Sequence, residues 1–383
     1  MCDILKHTTM KTGDKTMKKI HRTLSLFTVA AMCAALLCSC GEMPDSSQTD
    51  SSSKAATTTT SDTTADTTTT GEASSTASAT SAPDSSVSDS SSAVTDDTKT
   101  NGITPAMWKV TSPEGNTMVM LGSFHALKDE CYPLPEAVTN AYNNADILAV
   151  ECDITSTSED GEYMKNLMKQ MLYNDNTKLS QHISEEAYSA LQTYLGYWGM
   201  DISALEVYRP WAVSSTLDTL LIQDSGFDSE KGLDNYLLTT AHADGKEIYE
   251  VESVDFQMNL LINFSDDIYD LMFRSFEGET KESQKQALED LYTAWKSGDI
   301  ETFLEEDNEE ELAGYTEEDK KIAEDYNNQM LYDRNKNMAK AAEDLMSQGK
   351  NVFYVVGAAH YAGEGGIIDL LEKDGYTAER VQY

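Results

Sequence analysis

Positive charge is what this sequence has little of: 28 Lys and Arg stand against 66 Asp and Glu, a formal net charge of −38 over 383 residues. That balance argues against nucleic acid and anionic lipid as electrostatic partners, and it fits a solvated extracellular protein. A long hydrophobic run is lacking too. The apolar stretch Leu24–Leu37 is too short to cross a bilayer comfortably. No Walker loop, no G-x-S-x-G elbow and no H-E-x-x-H helix occurs, so the chemistries those motifs carry have no support here. Histidine is rare as well, with six in the chain, so the position of each is informative.

The stretch before and around Leu24–Leu37 reads as a secretory signal peptide over residues 1–40. It has a basic n-region (Lys18, Lys19, Arg22), an apolar core and a small residue, Ser39, before Cys40, and Met17 is the expected true start. The ending Leu37-Cys38-Ser39-Cys40 resembles a bacterial lipobox. That resemblance implies cleavage before Cys40, a lipid on its sulfur, and a protein anchored to the cell membrane on its extracytoplasmic face. Residues 41–102 are dominated by Ser, Thr, Ala and Asp. Such a segment cannot bury enough apolar surface to offset its ordering entropy, so a disordered linker is expected.

The remainder, 103–383, holds all four tryptophans and is large enough to bury a substantial core. Two of its cysteines, Cys131 and Cys152, survive processing. They either form a disulfide, stabilising by roughly 3 kcal/mol in the chain-entropy model, or stay as two buried thiols.

Its two ends read as strand and helix in alternation. Met107–Ser123 is a hairpin around Pro113-Glu114-Gly115-Asn116. A helix over "LPEAVTNAYNNA" and a buried strand at Ile147–Val150 follow, so Met118–Leu121 and Ile147–Val150 should lie parallel in one sheet. From about Glu159 the pattern turns helical, with Met164, Leu167, Met168, Met171 and Leu172 on one face as a core stripe or helix seam. Lys246–Ser253 reads as a strand, and Glu317–Gln348 as one long helix. The end returns to strand, glycine-rich loop, helix and strand. The fold class is α/β: a mixed or parallel central sheet built from the terminal segments, with a large helical middle section.

Two histidines repeat one pattern. "MVMLGSFH" and "VFYVVGAAH" each run from an apolar strand through a glycine (Gly122, Gly357) to a histidine three positions on, His125 and His360. Glycine there permits a sharp turn and close approach of a ligand. In a parallel sheet such groups gather at the carboxyl edge. Glu151 directly follows the apolar run Ile147–Val150 and belongs at the same edge. His125, Glu151 and His360 thus form a candidate two-histidine, one-carboxylate set for a divalent ion. The plainer reading makes them core residues, hydrogen-bonded to carbonyls and paired to an arginine. His182 and His242 read as surface residues, the acidic run Leu304–Lys321 as a solvated face, and "GEGG" after His360 as either an anion site or a turn.

These segments resemble the TraB/PrgY/GumN family, related to the Tiki metalloproteases. The likeness runs over 104–383, through "YRPWAV", the segment containing Asp234, Glu252 and Gln257, and "DRNKNMAKAAEDLM" with Arg334-Asn335. Val251-Glu252-Ser253 departs mildly from the usual Leu-Glu-Thr. The resemblance implies that His125, Glu151 and His360 bind a divalent metal ion (Mn, Co or Zn). Glu151 would be ligand or general base, and Arg334 would stabilise an oxyanion or hold Glu151. It implies a hydrolase acting on peptides. The alternative is a non-catalytic protein that binds or sequesters a peptide signal.

Overall fold

A computed structural model describes residues 102–155, 161–304 and 315–383. The signal segment with Cys40, all but the last residue of the linker, and most of the acidic run lie outside these described residues. No helix among the described residues is long and apolar enough to cross a membrane.

The hairpin forms as expected: β1 (Met107–Thr111) pairs antiparallel with β2 (Thr117–Ser123). α1 (Glu136–Asn144), begun by Pro135, leads into β3 (Ile147–Val150). The helical section comprises α2 (Gly161–Gln170), α3 (Glu185–Gly196), α4 (Pro210–Asp224) and α5 (Leu233–Asp244). β4 (Glu247–Glu250) interrupts it before α6 (Val254–Ile262), α7 (Asp266–Arg274) and α8 (Lys281–Ser297). Then come α9 (Glu317–Asn327), α10 (Asp333–Met346), β5 (Val352–Gly357), α11 (Ile367–Lys373) and β6 (Thr377–Arg380).

The six strands make one mixed sheet in the order β4-β3-β5-β2-β1-β6. The four strands β4, β3, β5 and β2 run parallel, while β1 is antiparallel to both its neighbours. β2 and β3 are therefore parallel in one sheet, with β5 inserted between them. Every residue of β3 and β5 is buried. That explains their unbroken apolar sequences, since a strand covered on both faces has no polar side to show.

Two helical expectations change. In the methionine stripe Met164, Leu167 and Met171 are buried, but Met168 and Leu172 are exposed. α2 ends at Gln170, and Leu172 leaves the helical path to bridge with Tyr208. The single long helix is also interrupted: a π-turn, Asn328–Tyr332, lies between α9 and α10. It falls one residue short of Arg334, the side chain it serves.

Candidate functional site

Strand register brings the carboxyl ends together. Ser123 of β2 stands opposite Gly357 of β5, and Val150 of β3 lies opposite both Val355 of β5 and Glu250 of β4. The residues just beyond these ends are His125, Glu151, Glu252 and His360. The ladder between β3 and β4 runs on a little further, with Glu252 N–H donating to Glu151 O at 2.7 Å.

Glu151 is buried and fully engaged. Its Oε1 accepts the Gly357 N–H at 2.7 Å, while its Oε2 accepts from Gln257 Nε2 at 2.9 Å and Arg334 Nη2 at 2.8 Å. Burial resists the charge, but the Arg334 guanidinium, with the two histidines and the Gly357 N–H, holds the carboxyl well below the usual range. Arg334 is 4% exposed and clamps a second carboxylate, donating from Nε and Nη2 to Glu252 at 2.9 and 2.8 Å. Its Nη1 donates to Met330 O at 3.0 Å. Met330 sits in the π-turn, where the widened backbone ring accompanies a functional side chain, as such turns often do. Gln257 ties the carboxylates together, donating also to Glu252 Oε2 at 2.7 Å.

His360 is buried, with Nδ1 2.6 Å from Asn335 Oδ1. The Asn335 amide donates from Nδ2 to Gly365 O at 2.9 Å, so its oxygen faces the ring and Nδ1 carries the hydrogen. Nε2 therefore presents a lone pair, 3.7 Å from Glu151 Oε1. Burial, together with the nearby Arg334 charge, lowers the His360 pKa to about 3, so the ring is neutral in ordinary buffers.

His125 is held differently. Its Nδ1 is 2.8 Å from Asp234 Oδ2, near the start of α5. Gly232 makes that approach possible, because a Cβ there would fall 2.1 Å from His125 O. Burial pulls the His125 pKa down, but the charge and hydrogen bond of Asp234 prevail and raise it to about 9. The side chain is 38% exposed, so water screens part of that attraction.

Gly357 shows where the three groups converge. A Cβ on it would lie 3.1 Å from Glu151 Oε1, 3.4 Å from His125 Nε2 and 3.6 Å from His360 Cδ2. Neither Gly122 nor Gly357 has a positive φ. They are glycine for space and not for a turn: at Gly122 a Cβ would press to 3.0 Å on Ala358. His125, Glu151 and Asp234 also line a solvent-open cleft with Cys152, Ile154, Ser229 and Asn235.

The donor set fits a divalent ion in its chemistry: two imidazole Nε2 atoms, each oriented through a partner on Nδ1, and one carboxylate oxygen. The spacing is open, and among the described residues no three His, Cys, Asp or Glu stand close enough to hold an ion. The physical reason is that Glu151 is drawn onto Arg334, Gln257 and the Gly357 N–H.

The remaining candidates lie apart from this point. His182 bonds to Asp266 and Thr177 and stacks on Tyr173, and His242 pairs with Asp153. Cys131 and Cys152 remain thiols: one is 3.0 Å from Tyr292 OH, the other donates to Gln257 Oε1 at 3.5 Å. The disulfide alternative is thereby set aside, and burial pushes both thiols up. In the "GEGG" loop Asp369 Oδ2 accepts the Gly365 N–H, which supports the turn reading over the anion site.

Asp234, Glu252, Gln257 and Asn335 gained no role from the sequence alone. One weak signal was available: Glu252 lies two residues past the end of β4, close to the level at which Glu151 directly follows β3.

Comparison with known proteins identifies the family. A family model described as TraB/PrgY/gumN family matches residues 106–380, and the chain belongs to that family. Among its relatives is "Uncharacterized protein YbaP" of Escherichia coli, 26% identical over 41% of this chain and 56% of that protein. Another is "Metalloprotease TIKI homolog" of Nematostella vectensis, 25% identical over 65% of this chain and 61% of that protein. A third is "Metalloprotease TIKI1" of Xenopus tropicalis, 23% identical over 63% of this chain and 55% of that protein. The chain thus spans little more than half the length of these relatives. No solved structure matches it.

Proposed function

We propose that this protein is a metal-dependent hydrolase acting on peptides, anchored through Cys40 on the extracytoplasmic face of the cell membrane. The anchor rests on the basic n-region, the apolar core and the residues around Cys40. The reaction rests on one observation above all: His125 Nε2, Glu151 Oε1 and the His360 ring all face the point that a Cβ on Gly357 would occupy. The relatives named as metalloproteases add support.

His125, His360 and Glu151 would hold a divalent ion, Mn, Co or Zn by the nitrogen and oxygen donors present. Such an ion, when bound, lowers the pKa of water and polarises a scissile carbonyl. Asp234 and Asn335 orient the two imidazoles by accepting their Nδ1–H groups. Arg334 and Gln257 keep Glu151 ionised and aimed, with Oε1 toward His360 as ligand or proton acceptor. Arg334 is itself too buried to meet a substrate, so its role here is positioning rather than stabilising an oxyanion. The cleft beside Ser229, Asp234 and Asn235 is where a peptide would enter.

Digestion of a peptide library by the full chain tests this. Cleavage should occur, stop with a chelator, return with Mn, Co or Zn, and vanish in His125→Ala and His360→Ala. Saturable peptide binding without turnover, indifferent to the chelator, would instead establish the sequestering alternative.

A further inference from the structure

Ser123 is the last residue of β2 and is 2% exposed. Its Oγ is buried and has no hydrogen-bond partner among the described residues. Buried hydroxyls nearly always find one, and leaving one unpaired carries a free-energy penalty. Among the described residues, it is the one such atom carried by a sheet strand.

Register shows where this hydroxyl points. Ser123 is the ladder partner of Gly357, and partners across a ladder project to the same face. The direction a Gly357 side chain would take leads to Glu151 Oε1, His125 Nε2 and His360 Cδ2. Ser123 therefore stands beside the convergence point, two residues before His125 on the same strand path.

We propose that Ser123 is a further ligand-contacting residue of this site, whose hydroxyl completes its hydrogen bonding on a hydrated divalent cation held by His125 and His360. The inference rests on the metal-dependent reading above. It accounts for a serine on a strand face whose other positions include Leu121 and Val355, both fully buried. A water carried by the ion would need two to four polar partners, and the Ser123 hydroxyl would be one of them. Binding of the ion would supply the bond that this hydroxyl does not find among the described residues.

The test uses the full chain as wild type and as Ser123→Ala, with two readouts: melting temperature without added metal, and titration calorimetry with Zn²⁺ and with Mn²⁺. Ser123→Ala should keep or raise the ion-free melting temperature and weaken ion binding at least fivefold. A lower ion-free melting temperature would overturn the inference, since the hydroxyl would then already have a partner. Equal ion affinity in the two proteins would overturn it alone. Failure of the wild type to bind either ion would overturn it together with the metal-dependent reading.

Discussion

His125 and His360 occupy the same point of the same local pattern, a parallel strand, a glycine and two further residues, yet they are chemically unlike. His125 faces a carboxylate, Asp234, and part of its ring meets solvent. His360 faces an amide, Asn335, and is sealed beside Arg334. One is raised to about 9, the other lowered to about 3. The motif places an imidazole at the sheet edge, and the helix packed against it decides the proton. An acid-stable neutral ring and a readily charged one, set on either side of a single carboxylate, is the kind of divergence that acid–base and metal chemistry exploits.

The comparison can be broken at three places. The largest effect is expected from Arg334→Met, which leaves Glu151 and Glu252 as buried like charges with no cation between them. Removing one partner of such a buried cluster costs about 3–5 kcal/mol. Denaturant unfolding measures that loss, and a change under about 1 kcal/mol would show that the two carboxylates do not depend on the guanidinium. Next is Gly357→Ala, which inserts a methyl group between the two histidine units. The cost in stability should be about 1–3 kcal/mol, the usual range for overpacking, while ion binding and peptide cleavage fall at least tenfold. Preserved ion binding in this variant would mean that the space before Gly357 is not the site.

Smallest in stability, but sharpest for the comparison, is Asp234→Asn. With an amide on both histidines, the His125 titration seen by NMR in the ion-free protein should drop from about 9 toward or below the ordinary 6.5. The sign for stability follows. A raised folded pKa contributes stability that is fully present below 6.5 and lost as pH rises through about 9. That loss should be visible in the wild type and disappear in Asp234→Asn. An unmoved titration would remove Asp234 as its cause.

Much of this was legible beforehand. The apolar runs ending at Gly122 and Gly357 and the carboxylate after Ile147–Val150 show the sheet edge directly, because buried parallel strands have no polar face to blur the pattern. Local patterning did not reveal the partners, and the holding of Glu151 by Arg334 was implied by the family resemblance alone. Asp234 lies 109 residues from His125, and Arg334 lies 183 residues from Glu151. Such pairs depend on how helices dock onto the sheet, which local periodicity does not encode. The π-turn at Asn328–Tyr332 was hidden for a related reason: no proline or glycine marks it. Its wider ring is accompanied by the contact between Met330 O and Arg334, a tertiary event. The outward turn of Met168 and Leu172 likewise follows from where α2 stops.

The most direct measurement is a crystal structure of the full chain grown with Zn²⁺, with the ion located by its anomalous scattering. The account predicts one ion in front of Gly357, bonded to Nε2 of both His125 and His360 at about 2.0–2.1 Å. An ion bound elsewhere, or the two imidazoles facing separate cavities, would contradict it.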